Sequence, residues 1–78
     1  MKLKWKATRD LTLAIAKSIA ETAGKSQSDL RILCRDKGAN AKSLMGVVAL
    51  SYKKGESLVI VADGRDAARA VEEIKKYL

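Results

Sequence analysis

Asp29-Leu30-Arg31-Ile32-Leu33-Cys34-Arg35-Asp36-Lys37-Gly38-Ala39-Asn40-Ala41 is the stretch on which the fold turns. Residues 29–35 alternate, with Leu30, Ile32 and Cys34 on one face and Arg31, Leu33 and Arg35 on the other, so the spacing predicts a half-buried strand. Asp36-Lys37-Gly38 is turn chemistry and predicts a hairpin into a short strand at 39–41. Downstream, Leu58 to Ala62 is a continuous apolar run that suits a strand in the middle of a sheet. Upstream, residues 2–7 set Lys2, Lys4 and Lys6 against Leu3, Trp5 and Ala7, which predicts another half-buried strand with a basic outer face.

Helical patterns lie between these strands. Residues 12–23 carry apolar side chains at 15, 16, 19, 20 and 23, one stripe of a helix, and Gly24 reads as its stop. Ser43 is a good N-cap for a short helix through Leu50. Asp63-Gly64 is a turn, and Asp66 reads as the cap of a last helix with Ala67, Ala70, Val71, Ile74 and Leu78 on one stripe. Lys75 and Lys76 in its last turn complement the helix dipole. The order β-α-β-β-α-β-α predicts a single domain of four strands, with three helices on one face and the other face open.

The 78-residue chain has no proline and one cysteine, Cys34. A lone thiol forms no internal disulfide and fits a reducing cytosol. Its short apolar runs fall well below a membrane span, and Met1 to Lys6 lacks the apolar core of an export signal, so a cytoplasmic protein is expected. The chain has no histidine. That removes the commonest general acid–base and metal ligand, disfavours an enzyme, and gives no indication of a cofactor or metal. The 16 basic and nine acidic residues leave a net charge of +7, which favours acidic partners or serves as a self-repelling surface.

Asn40-Ala41-Lys42-Ser43-Leu44-Met45-Gly46-Val47-Val48-Ala49-Leu50 resembles the segment around the regulatory serine of the HPr proteins, histidine phosphocarriers of the bacterial sugar phosphotransferase system. Gly64-x-Asp66, followed by Ala70-Val71 and Ile74, is also similar to that family. The resemblance covers essentially the whole chain. It implies an α+β, HPr-like open-faced β-sandwich with an antiparallel sheet.

The family's active loop reads Gly-(Leu/Ile)-His-Ala-Arg-Pro-Ala. Here the equivalent stretch is Asp10-Leu11-Thr12-Leu13-Ala14-Ile15-Ala16. Thr12 stands where the family has its phosphoryl-accepting histidine, Ala14 where it has the arginine that neutralises the phosphate, and Ile15 where it has proline. A threonine hydroxyl is a far weaker nucleophile, and its phosphate ester a poor donor. Thr12 is expected to be a helix cap rather than a phosphoacceptor.

The resemblance implies that Ser43 is a target of an HPr-type serine kinase, and that the phosphorylated form is a corepressor for a catabolite-control transcription factor. Family members without the histidine can keep only that branch. Ala14 departs from the arginine that helps bind that partner. Leu44, Met45 and Val48 share one side of the short helix, and their family equivalents form an exposed docking patch. Val47 and Leu50 are expected inside. On the open face, Val59, Val61 and Leu33 should form an apolar strip rimmed by Lys2, Lys4, Lys6, Arg31 and Arg35. A second copy, an acidic partner or nucleic acid are the occupants that such a face allows. Aromatics suited to base stacking are scarce there, because Trp5 is expected to point inward.

Overall fold

The computed structural model describes residues 1–78. In chain order the elements are β1 (Lys2–Lys6), α1 (Leu13–Gly24), β2 (Asp29–Cys34), β3 (Lys37–Asn40), α2 (Leu44–Leu50), β4 (Ser57–Asp63) and α3 (Ala67–Lys75). The apolar run at 58–62 becomes β4, an inner strand of a sheet ordered β1-β4-β2-β3. Every strand pair is antiparallel. The β2–β4 register, from Asp29 opposite Asp63 to Cys34 opposite Leu58, puts Leu30, Ile32, Cys34, Leu58, Ile60 and Ala62 on one face. All six are buried, against Ala16, Ile19 and Ala23 of α1, Val47 and Leu50 of α2, and Val71 and Ile74 of α3. Each large aliphatic side chain so buried contributes about 1.5–3 kcal/mol. The three helices cover this face alone, so the opposite face of the sheet is open.

The hairpin turns one residue earlier than its turn chemistry suggested. β2 ends at Cys34, which pairs with Lys37, and Arg35-Asp36 is the turn. Arg35 adopts φ +58. Its guanidinium donates to the Leu50 carbonyl at 2.8 Å and forms an ion pair with Glu56, holding α2 and the segment before β4. Hydrogen bonding to Arg35 pulls the Glu56 carboxyl below the usual carboxylate range. Arg35 therefore lies off the open face, contrary to the alternation.

Two helix-end expectations also change. Gly24 is the last residue of α1, and the cap, Lys25, stays right-handed. The end is closed by Lys25 N–H donating to Thr22 and Ser26 N–H donating to Ala23, so no left-handed glycine is required. Asp66 occupies the cap position of α3 but makes no side-chain cap bond. Its carboxylate instead accepts from the Ser26 and Ser28 hydroxyls and the Gln27 N–H. These bonds, Ser28 foremost and then Ser26, hold the Asp66 carboxyl down to about 2. Ser28 is fully buried, and the Asp66 N–H donates back to its hydroxyl.

Gly64, with φ +146, permits this contact: a Cβ there would stand 2.5 Å from the Ser28 hydroxyl oxygen and 2.7 Å from its Cα. Gly64→Ala is expected to lower stability by about 2 kcal/mol, read as the shift in a urea midpoint. An unchanged midpoint would contradict the close approach. The Asp66 carboxyl titrates lower folded than unfolded, so its contribution to stability is complete above about pH 4 and fades as the pH falls toward 2. Ser28→Ala should raise that pKa and flatten the stability curve between those limits. An acid limb identical to wild type would show that Ser28 does not hold the carboxylate.

Candidate functional site

α1 begins at Thr12, whose extended backbone (φ −120, ψ 166) leaves Oγ1 to accept from the Ile15 N–H at 3.2 Å. The expected cap geometry is therefore present. Leu13 and Ala14 follow on the exposed side of the first turn, with Leu13 62% exposed. The loop after α2 lies alongside. Leu11 N–H donates to the Tyr52 carbonyl at 3.0 Å, and Lys54 N–H to the Asp10 carboxylate at 2.7 Å. Together they frame a cleft of about 230 Å³ lined by Thr12, Leu13, Val48, Tyr52 and Lys53, among others. None of its lining side chains is an imidazole or a carboxylate. The Thr12 hydroxyl therefore has no imidazole or carboxylate among the side chains that line the cleft with it.

Tyr52 is almost wholly buried, its hydroxyl has no partner, and burial pushes its pKa up to about 12. Burial likewise raises the Cys34 thiol, so this lone cysteine stays in its protonated, unreactive form. Nowhere do three His, Cys, Asp or Glu side chains come together as a metal ion would require. No helix is long and apolar enough to cross a membrane.

Ser43 is exposed and caps α2, its Oγ accepting from the Gly46 N–H at 3.2 Å. The neighbouring Lys42 ammonium is turned to the Ser26 carbonyl at 2.9 Å. α2 buries Val47 and Leu50 and exposes Leu44 at 36%, Met45 at 84% and Val48 at 40%, the division that its sequence suggested. Leu13 extends this surface, because it lines the cleft beside Val48. Sequence reasoning missed it: Leu13 lies a quarter turn from the centre of the α1 stripe, a position that marks an apolar residue left outside the core.

On the open face the register aligns Lys2 with Val61 and Arg31, and Lys4 with Val59 and Leu33. Lys6 lies opposite Ser57. The three apolar residues are half-buried and the four cations exposed. Trp5 faces the helices, with the Lys75 ammonium 5.0 Å from its ring centroid.

The sequence model of the family described as PTS-HPr, "PTS HPr component phosphorylation site", matches residues 2–78. The phosphocarrier protein HPr of Mycoplasma capricolum is 39% identical over 63 residues, which is 81% of this chain and 71% of that protein. The solved structure of a mycoplasma histidine-containing phosphocarrier protein superposes with a TM-score of 0.89 at 33% identity, over 99% of this chain and 90% of that one. The Bacillus subtilis catabolite repression protein Crh, reported as a swapped, intertwined dimer, gives 0.77 at 27% identity over 99% of this chain and 88% of its own.

Thr12→Ala should cost about 1 kcal/mol in thermal or urea unfolding, while Thr12→Ser stays near wild type. Equal stability of all three proteins would mean that the Oγ1 bond does not cap α1.

Proposed function

The chain belongs to the HPr family, and from that premise we propose that it is a regulatory, protein-binding member that carries no phosphate on histidine. The observation that carries this reading is at position 12. By its place in the active-loop motif, the residue standing for the family's histidine is a threonine whose oxygen caps α1, and the chain contains no histidine at all. A phosphohistidine cannot form on it. The neighbouring first-turn positions are Leu13 and Ala14, neither of which can neutralise a phosphoryl group. The fold around these positions is intact, which favours a retained binding role.

Docking runs through Leu44, Met45 and Val48, extended by Leu13. Exposed apolar patches rimmed by charge mark interaction sites. Lys17 and Lys42 border this one at Leu44, and Lys53 borders it at Val48. The partner is a protein, with an HPr-type serine kinase and a catabolite-control transcription factor as the candidates, and the compartment is the cytoplasm. Ser43 is the switch: transfer of a γ-phosphoryl group from ATP to its Oγ, with loss of the hydroxyl proton, adds about −1.5 to −2 charge beside the docking patch. Self-association, as in Crh, is a further route by which such a module could act.

Incubation with an HPr-type serine kinase and ATP should add one phosphate, mapped by mass spectrometry to Ser43 and absent in Ser43→Ala. Met45→Ala should raise the kinase KM for the chain about tenfold without moving its thermal midpoint, because that side chain is 84% exposed. No phosphorylation, or phosphorylation elsewhere, would reduce Ser43 to a helix cap. Phosphoenolpyruvate-dependent labelling of the wild-type chain would overturn the non-carrier reading.

A further inference from the structure

The open sheet face carries charge that the fold itself leaves unanswered. Lys2, Lys4, Lys6 and Arg31 all project from it, and none takes part in the ion pairs of the chain, which join Arg35 to Glu56, Lys75 to Glu72 and Lys76 to Glu73. Along β1 the lysines recur about every 6.8 Å, twice the rise per strand residue. Lysines on an edge strand guard against edge-to-edge pairing. That role does not extend to Arg31, which lies on the inner strand β2, nor to the aliphatic strip beside it. Val59 and Leu33 are cross-strand neighbours, and a Leu33 methyl lies 2.8 Å from where a Cβ on Gly38 would stand, so the strip continues over β3. Val61 adjoins it in the next row.

We propose that this face docks an acidic protein surface bearing an aliphatic ridge, the ridge against Val59, Val61 and Leu33 and the acids against Lys2, Lys4, Lys6 and Arg31. An apolar centre with a charged rim is the usual anatomy of a protein interface. A second copy of the chain does not complement the face. Stacked about a two-fold axis along the strands, two copies set Asp63 over Asp29. About an axis across the strands, they set Lys2 over Lys6. Either way like charges oppose. A nucleic acid fits less well too, because no aromatic side chain projects from the face to stack on a base, and Asp29 and Asp63 stand together at one end of it. The face is distinct from the α1–α2 patch, which lies on the helical side.

The test is a titration of the ¹⁵N-labelled chain with a synthetic helical peptide that has a leucine stripe flanked by glutamates. A lysine-flanked peptide with the same stripe is the control. Amide shifts are expected at Lys4, Arg31, Val59 and Val61 and not at Met45. Affinity should fall about tenfold from low to high salt, as for contacts steered by exposed charge. Lys4→Glu/Arg31→Glu should lose the acidic peptide and gain the lysine-flanked one. Lys4→Ala/Arg31→Ala should weaken binding without that exchange, and serves if the charge-reversed chain does not fold. The proposal is overturned by shifts confined to α1 and α2, by equal binding of both peptides, by tighter binding of a mixed-sequence DNA oligonucleotide on the same face, or by no binding up to millimolar peptide.

Discussion

The pairing of β2 with β4 is the constraint from which the other features follow. Side chains alternate across a strand, so a slip of one strand by one residue would turn its outer residues, Arg31 and Leu33 of β2 or Val59 and Val61 of β4, against the helices. Two polar clamps oppose such a slip, one at each end of the pair. Beyond Asp63, Gly64 lies against Ser28 closely enough to exclude a side chain, and Asp66 gathers Ser26, Gln27 and Ser28 just before β2 begins. Beyond Cys34, Arg35 reaches the Leu50 carbonyl and Glu56, just before β4 begins. Both clamps join the start of one inner strand to the end of the other, and each charged group in them has several partners. Bonds of this kind add modestly to stability, and a clamp left half-made costs more than the bond itself contributed.

With the register fixed, the helices can bury their stripes and leave their ends outside. α1 enters the core through Ala16, Ile19 and Ala23, so its first turn, from Thr12 to Ala14, meets solvent. Substitutions there are nearly invisible to packing. A histidine and an arginine can give way to threonine and alanine while the sheet and the helix stripes stay as they are, provided that something caps the helix. Thr12 does so. The residue types of the first turn and the retention of the fold can thus vary independently, because the two depend on different turns of the same helix. α2 is divided in the same way, Val47 and Leu50 inward and Leu44, Met45 and Val48 outward.

What the sequence made legible was whatever repeats. Period-two alternation placed both faces of the sheet, and helical spacing placed the inward and outward residues of α2 and the buried stripe of α3. The features that escaped are single polar or aromatic residues whose partners are distant in sequence. Arg35 continues the alternation of β2 on paper, yet its guanidinium is drawn away by a carbonyl fifteen positions on. Asp66 looks like a cap, but the hydroxyls of Ser26 and Ser28, some forty residues earlier, take its carboxylate. Tyr52 follows Ser51, whose left-handed backbone (φ 47) ends α2, and no periodicity in a short loop announces that its ring is buried. At the candidate site, the residue types at 12, 14 and 43–48 carried the reading, while the contribution of Leu13 needed the approach of the loop after α2.

The position of the two exposed surfaces has a mechanical consequence. The helical patch and the basic sheet face lie on opposite sides of a two-layer domain about 20–22 Å through its shorter dimensions. Neither surface borrows a side chain from the other, and the layer between them is the close-packed core. A protein bound at one surface therefore leaves the other uncovered. Close packing resists continuous deformation, so any coupling between the faces has to be electrostatic or pass through a discrete rearrangement. A charge added at Ser43 stands at the β3 edge of the sheet, because the Ser43 N–H donates to the carbonyl of Asn40, the partner of Arg31, whereas Lys2, Lys4 and Lys6 lie on β1, three strand spacings of about 4.8 Å from β3 and beyond a Debye length of about 8 Å. Modification at Ser43 would consequently change what binds on the helical side and reach the sheet face at Arg31 rather than at the β1 lysines.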